Sequence, residues 1–276
     1  MSSVAARRPM HRSALVSAGL LGLLALLALA APLLSPHSLD APDWQAIAVP
    51  PTLEDSHWFG TDRLGRDLWM RTWHGARVSL LIGLLATAVS LAIGVIWGAV
   101  AGYVGGRVDA LMMRFVDVLY SLPYVFFVIL LTVLFGRNIV LLFVAIGAVG
   151  WLTMARIVRG QTLALRRREF VQAAVAMGVP TWRIVVRHIV PNVIGAVVVY
   201  ATLTVPQMIL FESFLSFLGL GVQEPLASLG NLIASGAAEM DTAPWMLIVP
   251  AAVLVALLAC CSFLGDGLRD LLDPRG

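Results

Sequence analysis

Apolar residues along this chain come in long blocks, and the charged residues are bunched between them. After Arg12 the next charge is Asp40. Arg77 and Arg107 enclose 29 uncharged residues, Asp117 and Arg137 enclose 19, and Arg137 and Arg156 enclose 18. Arg187 to Glu212 and Asp241 to Asp266 enclose 24 each. Roughly 18 to 20 apolar residues cross the hydrocarbon core of a bilayer as a helix. The pattern therefore predicts six spans, near 14–34, 79–102, 116–136, 139–157, 193–212 and 245–265. The fold class it implies is all-α, a polytopic transmembrane helical bundle; the alternative, buried helices of a soluble protein, would need six such segments in 276 residues. The first span also resembles a secretory signal, with a basic front (Arg7, Arg8, Arg12) and an Ala28-Leu29-Ala30 that mimics a cleavage site. Its apolar run exceeds the roughly 7–15 residues usual for a signal. An uncleaved first helix is the reading adopted, and five spans follow either way.

Composition agrees: 59% of the residues are hydrophobic and 13% charged, against about 25% charged in soluble domains. The charges also orient the spans, because cytoplasmic loops are enriched in basic residues. With the N-terminus inside, the inner segments hold 14 of the 19 arginines and 6 of the 16 acids, so the two sides carry +8 and −5. Both termini are then cytoplasmic. The basic pI follows from this topology, and no nucleic acid is needed to explain it. Every basic residue is Arg. A P-loop requires its Lys, as do Schiff-base enzymes and protein kinases, so ATP-driven work would need another chain to bind the nucleotide. Cys260 and Cys261 are adjacent within the sixth span and read as packing residues. The five histidines (11, 37, 57, 74 and 188) show no metal-ligand spacing.

Between the spans, residues 1–12 form a basic tail, and 13–78 hold the first span and an outer polar segment. In Thr61-Asp62-Arg63-Leu64-Gly65-Arg66-Asp67, oppositely charged residues stand four apart, as do Asp67 and Arg71. That spacing predicts a salt-bridged surface helix, with Trp69 and Trp73 at the membrane interface. Residues 79–276 form the core of the protein. Gly94, Gly98 and Gly102 predict close helix packing in lipid. The connection 156–191 carries seven arginines and two amphipathic patterns in series: Phe170, Ala173, Ala174 and Met177, then Trp182, Val185, Val186 and Ile189. Gly178-Val179-Pro180 predicts a bend between them. Such a connection reads either as a pair of helices lying on anionic lipid or as a docking element for a soluble partner; periodicity leaves both open. Outside, the segment 213–243 begins apolar but is broken by Gly219 and Gly221, and is expected to dip toward the membrane or form a lid. Glu212 and Asp117 are the acids inside the span limits. Intramembrane ionisable groups are functional candidates, so Glu212 is a candidate for the substrate pathway, with a snorkelling interfacial Glu as the other reading. Asp117 is expected to pair locally with Arg114, three residues before it.

The 156–191 connection resembles the cytoplasmic signature of binding-protein-dependent ABC importer permeases. It reads Gln172-Ala173-Ala174, three residues, Gly178, then His188-Ile189-Val190-Pro191, with Gly178 and Pro191 at the family's separation. Gln172 replaces the family's Glu, His188 its Ile and Val190 its Leu. Four further runs resemble the peptide/nickel branch: His57 to Asp67, Ala101 to Gly106, Leu215 to Leu220 and Gly265 to Asp270. Met154 to Leu163, Met208 to Ser213 and Gly221 to Leu226 resemble the C-type permease of oligopeptide importers. Leu229 stands where the branch usually has Trp, which weakens any transfer of local contacts there.

The resemblance implies the type I ABC importer permease fold in a bacterial inner membrane, in a machine of five parts. This chain would pair with a second homologous permease, two cytoplasmic ATPase subunits and an extracytoplasmic peptide-binding protein. ATP and Mg would be bound by the ATPases, with no cofactor and no catalytic residue in this chain. Coupling helices at about 166–190 would dock on an ATPase through Arg168, Glu169, Gln172, Ala173, Ala174, Gly178 and Pro191. A dipeptide or nickel importer of the same branch is the nearer alternative. An ATP-independent channel or secondary transporter is the alternative from another class.

Overall fold

The computed structural model describes residues 12–136 and 138–272; most of the basic tail, Arg137 and the final four residues lie outside them. Ten α-helices follow one another: α1 (Arg12–Leu34), α2 (Leu68–Val104), α3 (Gly106–Ser121), α4 (Tyr124–Phe135), α5 (Ile139–Leu165), α6 (Glu169–Ala176), α7 (Thr181–Ile184), α8 (Val190–Phe217), α9 (Leu229–Ala238) and α10 (Trp245–Leu272). A π-helical turn, Val185–Ile189, joins α7 to α8. No strand occurs among the described residues, only an isolated bridge between Thr61 and Asp67. Among the described residues, five helical runs are long and apolar enough to cross a membrane: Arg12–Ala31, Leu68–Val104, Val140–Leu165, Thr181–Phe217 and Trp245–Leu271.

The third predicted span, over 116–136, is not one continuous helix: α3 and α4 meet at a bend of 88°. Leu122 is extended (φ −79°, ψ 134°), as the residue before a proline is driven to be, and Pro123 can open α4 but cannot continue α3. The described residues thus hold five such helices, or six where the bent pair is one broken span rather than a re-entrant loop.

Segment 61–67 is also not the expected helix. Gly65 has φ +74°, which breaks a right-handed helix, and α2 begins only at Leu68, capped by Asp67 through Met70 N. Of the anticipated i,i+4 pairs, Asp62–Arg66 forms at 2.7 Å. Asp67 is taken instead by the cap and by His57 Nδ1 at 2.9 Å. The cluster is buried rather than solvated, with Asp62, Arg66, Asp67 and Arg71 all in the interior.

The core is built on the parallel pair α2 and α5, where Ala86 and Val89 meet Gly147 and Gly102 meets Arg159 and Thr162. Gly94, Gly98 and Gly102 lie so close to α5 that a Cβ would collide, at Gly94 with the Met154 side chain and at Gly98 and Gly102 with the Ala155 and Arg159 carbonyls. Without a hydrophobic drive between helices in lipid, such contact supplies the packing energy. Around this pair stand α8, α10 and α1. Leu24, Ala28 and Ala31 of α1 share one cluster with Trp73, Ile209, Leu257, Cys260 and Cys261.

Two prolines interrupt these helices. Pro206 and Pro250 each leave the carbonyl four residues earlier without its donor. Those carbonyls, Thr202 and Met246, face Gly265 and Gly236 of neighbouring helices, so each kink sits where a glycine lets a neighbour approach.

Candidate functional site

The connection after α5 is a bent pair of short helices seated on the core. Arg168 is the N-cap of α6 without a side-chain bond, and Glu169 opens its first turn, where a negative charge complements the helix dipole. Gly178 has φ +75°, so the bend expected at Gly178-Val179-Pro180 is made by a residue that tolerates left-handed backbone. Val171, Ala174, Ile184, Val185 and Ile189 are buried in a cluster with Ala99, Tyr103, Met154 and Val158. The two amphipathic stripes are therefore split. Ala174, Val185 and Ile189 face the core; Phe170, Met177 (75% exposed), Trp182 (62%) and Val186 are left uncovered. Ala173 is exposed beside them. Gln172 lines a groove of about 420 Å³ with Tyr103, Arg166, Val175 and Thr181. Arg166, Arg167, Arg168, Arg183 and Arg187 are all exposed around this apolar face.

Pro191 follows the π-turn. Its missing N–H strands a carbonyl one turn back. Around it the helix widens, with Val190 N donating to Val185 O, and Asn192 Nδ2 donates to His188 O at 2.7 Å. Through this turn the connection runs into α8 as one helical body, Thr181–Phe217.

Beside α5 and α8 opens a cavity of about 470 Å³, lined among others by Tyr120, Tyr124, Thr153, Tyr200, Gln207 and Phe211. The lining has hydroxyl, amide and aromatic groups but no charge. Where Asp117 was expected to pair with Arg114, it accepts from Arg156 Nη2 of α5 at 2.8 Å; the α3–α5 crossing brings Arg156 within reach, and Arg114 is not among its partners. One turn along α5, Arg159 pairs bidentately with Asp109 at 2.5 and 2.6 Å.

Glu212 is enclosed in the bundle and is not among the residues lining the 470 Å³ cavity. It is 0% exposed, and accepts from Ser79 Oγ of α2 and Ser216 Oγ, each at 2.7 Å, and from Ser213 Oγ at 3.4 Å. Ser79 Oγ in turn accepts from Leu229 N at the start of α9. Among the described residues no cation pairs with it. The carboxylate ties α2, α8 and α9 together. Leu229 fills a fully buried place next to this hub, and the Ser228–Asn231 capping box starts α9.

The segment after α8 folds back rather than standing free as a lid. Arg66 Nη2 and Arg71 Nη2 both donate to Glu224 Oε1, at 2.9 and 3.3 Å. The bond from Arg66 holds the Glu224 carboxyl below its usual range. Burial disfavours the Arg66 charge, but its bonds to Glu224 and Asp62 outweigh this and raise its pKa.

Sequence spacing hid one cluster that could hold a metal. His37, His57 and Asp67 bring ligand atoms within 4.8 Å of one another. The two rings stack with centroids 4.0 Å apart and planes tilted by 17°, so their in-plane lone pairs do not converge on one ion. Asp67 already serves His57 and the helix cap. The trio is a structural joint between the 35–60 segment and α2. Neither it nor the Asp117–Arg156 pair has any local signal, since the partners stand 10 to 39 residues apart.

Residues 94–275 match the family described as binding-protein-dependent transport system inner membrane component. Residues 10–51 match the N-terminal TM domain of oligopeptide transport permease C. The chain is 56% identical over 272 residues to the oligopeptide transport system permease protein OppC of Escherichia coli, covering 98% of this chain and 90% of that protein. To OppC of Haemophilus influenzae it is 53% identical, covering 96% and 85%. To the dipeptide transport system permease protein DppC of Bacillus subtilis it is 46% identical, covering 97% and 84%. Among solved structures, a chain of the MetNI methionine ABC transporter in an inward-facing conformation superposes with a TM-score of 0.54 at 18% identity, over 80% of this chain and 99% of that one; this likeness concerns the fold. The bundle of long apolar helices, the bent connection with its signature spacing and these matches agree: the chain is a multi-pass membrane permease subunit belonging to the binding-protein-dependent transport system inner membrane component family.

Proposed function

We propose that this chain forms half of the translocation pathway of an ATP-driven importer of oligopeptides, and couples it to separate cytoplasmic ATPase subunits. The observation that carries the coupling is the uncovered apolar face of Phe170, Met177, Trp182 and Val186 on a bend whose other face is locked into the core. An ATPase groove covering that face would move the connection as a rigid body. Because 181–217 is continuous, the motion would pass directly into α8 beside the cavity. Gln172 offers no negative charge, so docking rests on shape and hydrogen bonds, with Glu169 and Arg168 at the start of α6. The ATPases bind ATP and Mg; a second permease closes the pathway, and an extracytoplasmic binding protein delivers peptide. In this reading both termini and the 166–190 connection face the cytoplasm, which the placing of 14 of the 19 arginines in those inner segments supports.

Binding at the docking face must differ between the two states of the pathway, or no shift occurs. Moving the equilibrium from 1:99 to 99:1 takes about 5.5 kcal/mol of differential binding. Two experiments test the reading. Cells lacking this chain should lose uptake of labelled tri- to pentapeptides and regain it on restoration; loss of nickel uptake alone would refute the peptide assignment. In the reconstituted transporter, Gly178→Trp has room but strains a residue at φ +75° and adds bulk to the docking face. ATP hydrolysis should continue while peptide uptake falls at least tenfold. Unchanged uptake would refute the docking role.

A further inference from the structure

The pair Asp117–Arg156 lies in helices that cross the membrane and yet is uncovered, with side chains 61% and 44% exposed. The Arg156 guanidinium also stacks 4.3 Å above the ring of Tyr120. Tyr120 lines the 470 Å³ cavity, and Thr153 and Ile157, which flank Arg156 on α5, line it too. A charged residue facing lipid is costly and is seldom left without water or a partner. The other ion pair on the inner part of α5, Arg159–Asp109, avoids that cost by burying Asp109 between helices. Within this chain Asp117 and Arg156 have no such cover, and their place beside Tyr120, Thr153 and Ile157 sets them against the cavity, at its end nearer the 166–190 connection.

A free peptide is a zwitterion, with an ammonium at one end and a carboxylate at the other. The cavity it would cross presents no charge of its own. We propose that Asp117, Arg156 and Tyr120 form a charge-exchange gate on the pathway. Asp117 takes the ammonium, and the Arg156 fork takes the terminal carboxylate, a planar bidentate match. The two ends of an extended tetrapeptide stand more than about 10 Å apart, so they arrive in turn: each replaces one ion's partner with another of the same sign while water solvates the other ion. Tyr120 holds the guanidinium by cation–π contact while the partners change. The inference rests on the oligopeptide reading and adds the chemistry by which the permease itself would recognise peptide ends.

The test uses the complete transporter with its binding protein in proteoliposomes. One tetrapeptide is supplied free, N-acetylated or C-amidated, with binding-protein affinity measured separately for each form. In the unaltered transporter, each capped form should be carried more slowly than the free peptide after correction for that affinity. Arg156→Gln should slow the free and N-acetylated forms about tenfold, the equivalent of one charge-assisted hydrogen bond, and leave the C-amidated form little changed. Asp117→Asn should do the converse for forms with a free ammonium. If both variants slow all three forms equally, and Asp117→Arg with Arg156→Asp restores all three, the pair is a structural latch and the gate is refuted. Failure of the unaltered transporter to carry any form would instead refute the peptide reading. Accessibility gives an independent check that does not need transport. With Cys260 and Cys261 replaced by Ser, Tyr120→Cys should react with a membrane-impermeant thiol reagent and be protected by bound peptide; an unreactive thiol there refutes placement on the pathway.

Discussion

Replacing Glu212 separates a structural hub from a transport residue. In the structure its two oxygens accept hydroxyl bonds of 2.7 Å from Ser79 and Ser216, in a site with no solvent access. Hydrogen bonds to a charged acceptor contribute about 1.5–3 kcal/mol each. Glu212→Ala removes both and leaves a cavity between α2, α8 and α9, while the freed serine hydroxyls turn toward backbone carbonyls and recover part of the loss. A net loss of about 3 kcal/mol is expected, near the lower limit for two such bonds. Glu212→Gln keeps the volume and one acceptor, and its amide can donate to a serine oxygen, so about 1 kcal/mol should be lost. The assay is thermal unfolding of the purified transporter in detergent, followed by intrinsic fluorescence, beside peptide uptake in cells. The expected order of melting midpoints is wild type, then Gln, then Ala, with uptake following the amount of folded protein. An Ala variant as stable as wild type would refute the hub. A Gln variant of full stability that carries no peptide would show that the carboxylate itself acts in transport.

Two further predictions concern other parts of the molecule. Gly98→Val should destabilise by about 1–3 kcal/mol or more, because its side chain would collide with the Ala155 carbonyl and come within 2.9 Å of Arg159 N. Gly160→Val, with nothing within 4 Å, should stay within about 0.5 kcal/mol; equal losses in thermal unfolding would refute the α2–α5 seam. Glu224 is held below its usual pKa by Arg66. Its contribution is therefore complete above the ordinary Glu value of about 4.3 and is lost as pH falls through the lower folded value. Hydrogen exchange at residues 219–228 should be level from pH 7 to 5, after correction for the intrinsic rate, and lose protection only below about pH 4. Loss of protection already at pH 5 to 6 would refute the assignment.

Much of this protein is readable along the chain because a membrane span is a local property. Twenty apolar residues without charge cross a bilayer wherever they stand, so α1, α2, α5, α8 and α10 follow from composition alone. The bend at Gly178 and the Gly94–Gly98–Gly102 stripe are local in the same sense, since one needs positive φ and the other a helical spacing of small residues. Partners are different. Asp62, Arg66 and Arg71 look like members of one surface helix until Glu224, more than 150 residues away, is folded onto them. Asp117 has Arg114 one helical turn away and takes Arg156 instead. Glu212 resembles a lone intramembrane charge until three serines close around it. Which segments are apolar enough to enter the membrane, and the turn at Gly178, are legible along the chain, because hydrophobic transfer and backbone sterics act within a few residues. Which charges meet, which stripe residues are covered and which groups line the cavity were decided only by the tertiary structure, because hydrogen bonds and ion pairs act across a few ångströms of space whatever the distance along the chain.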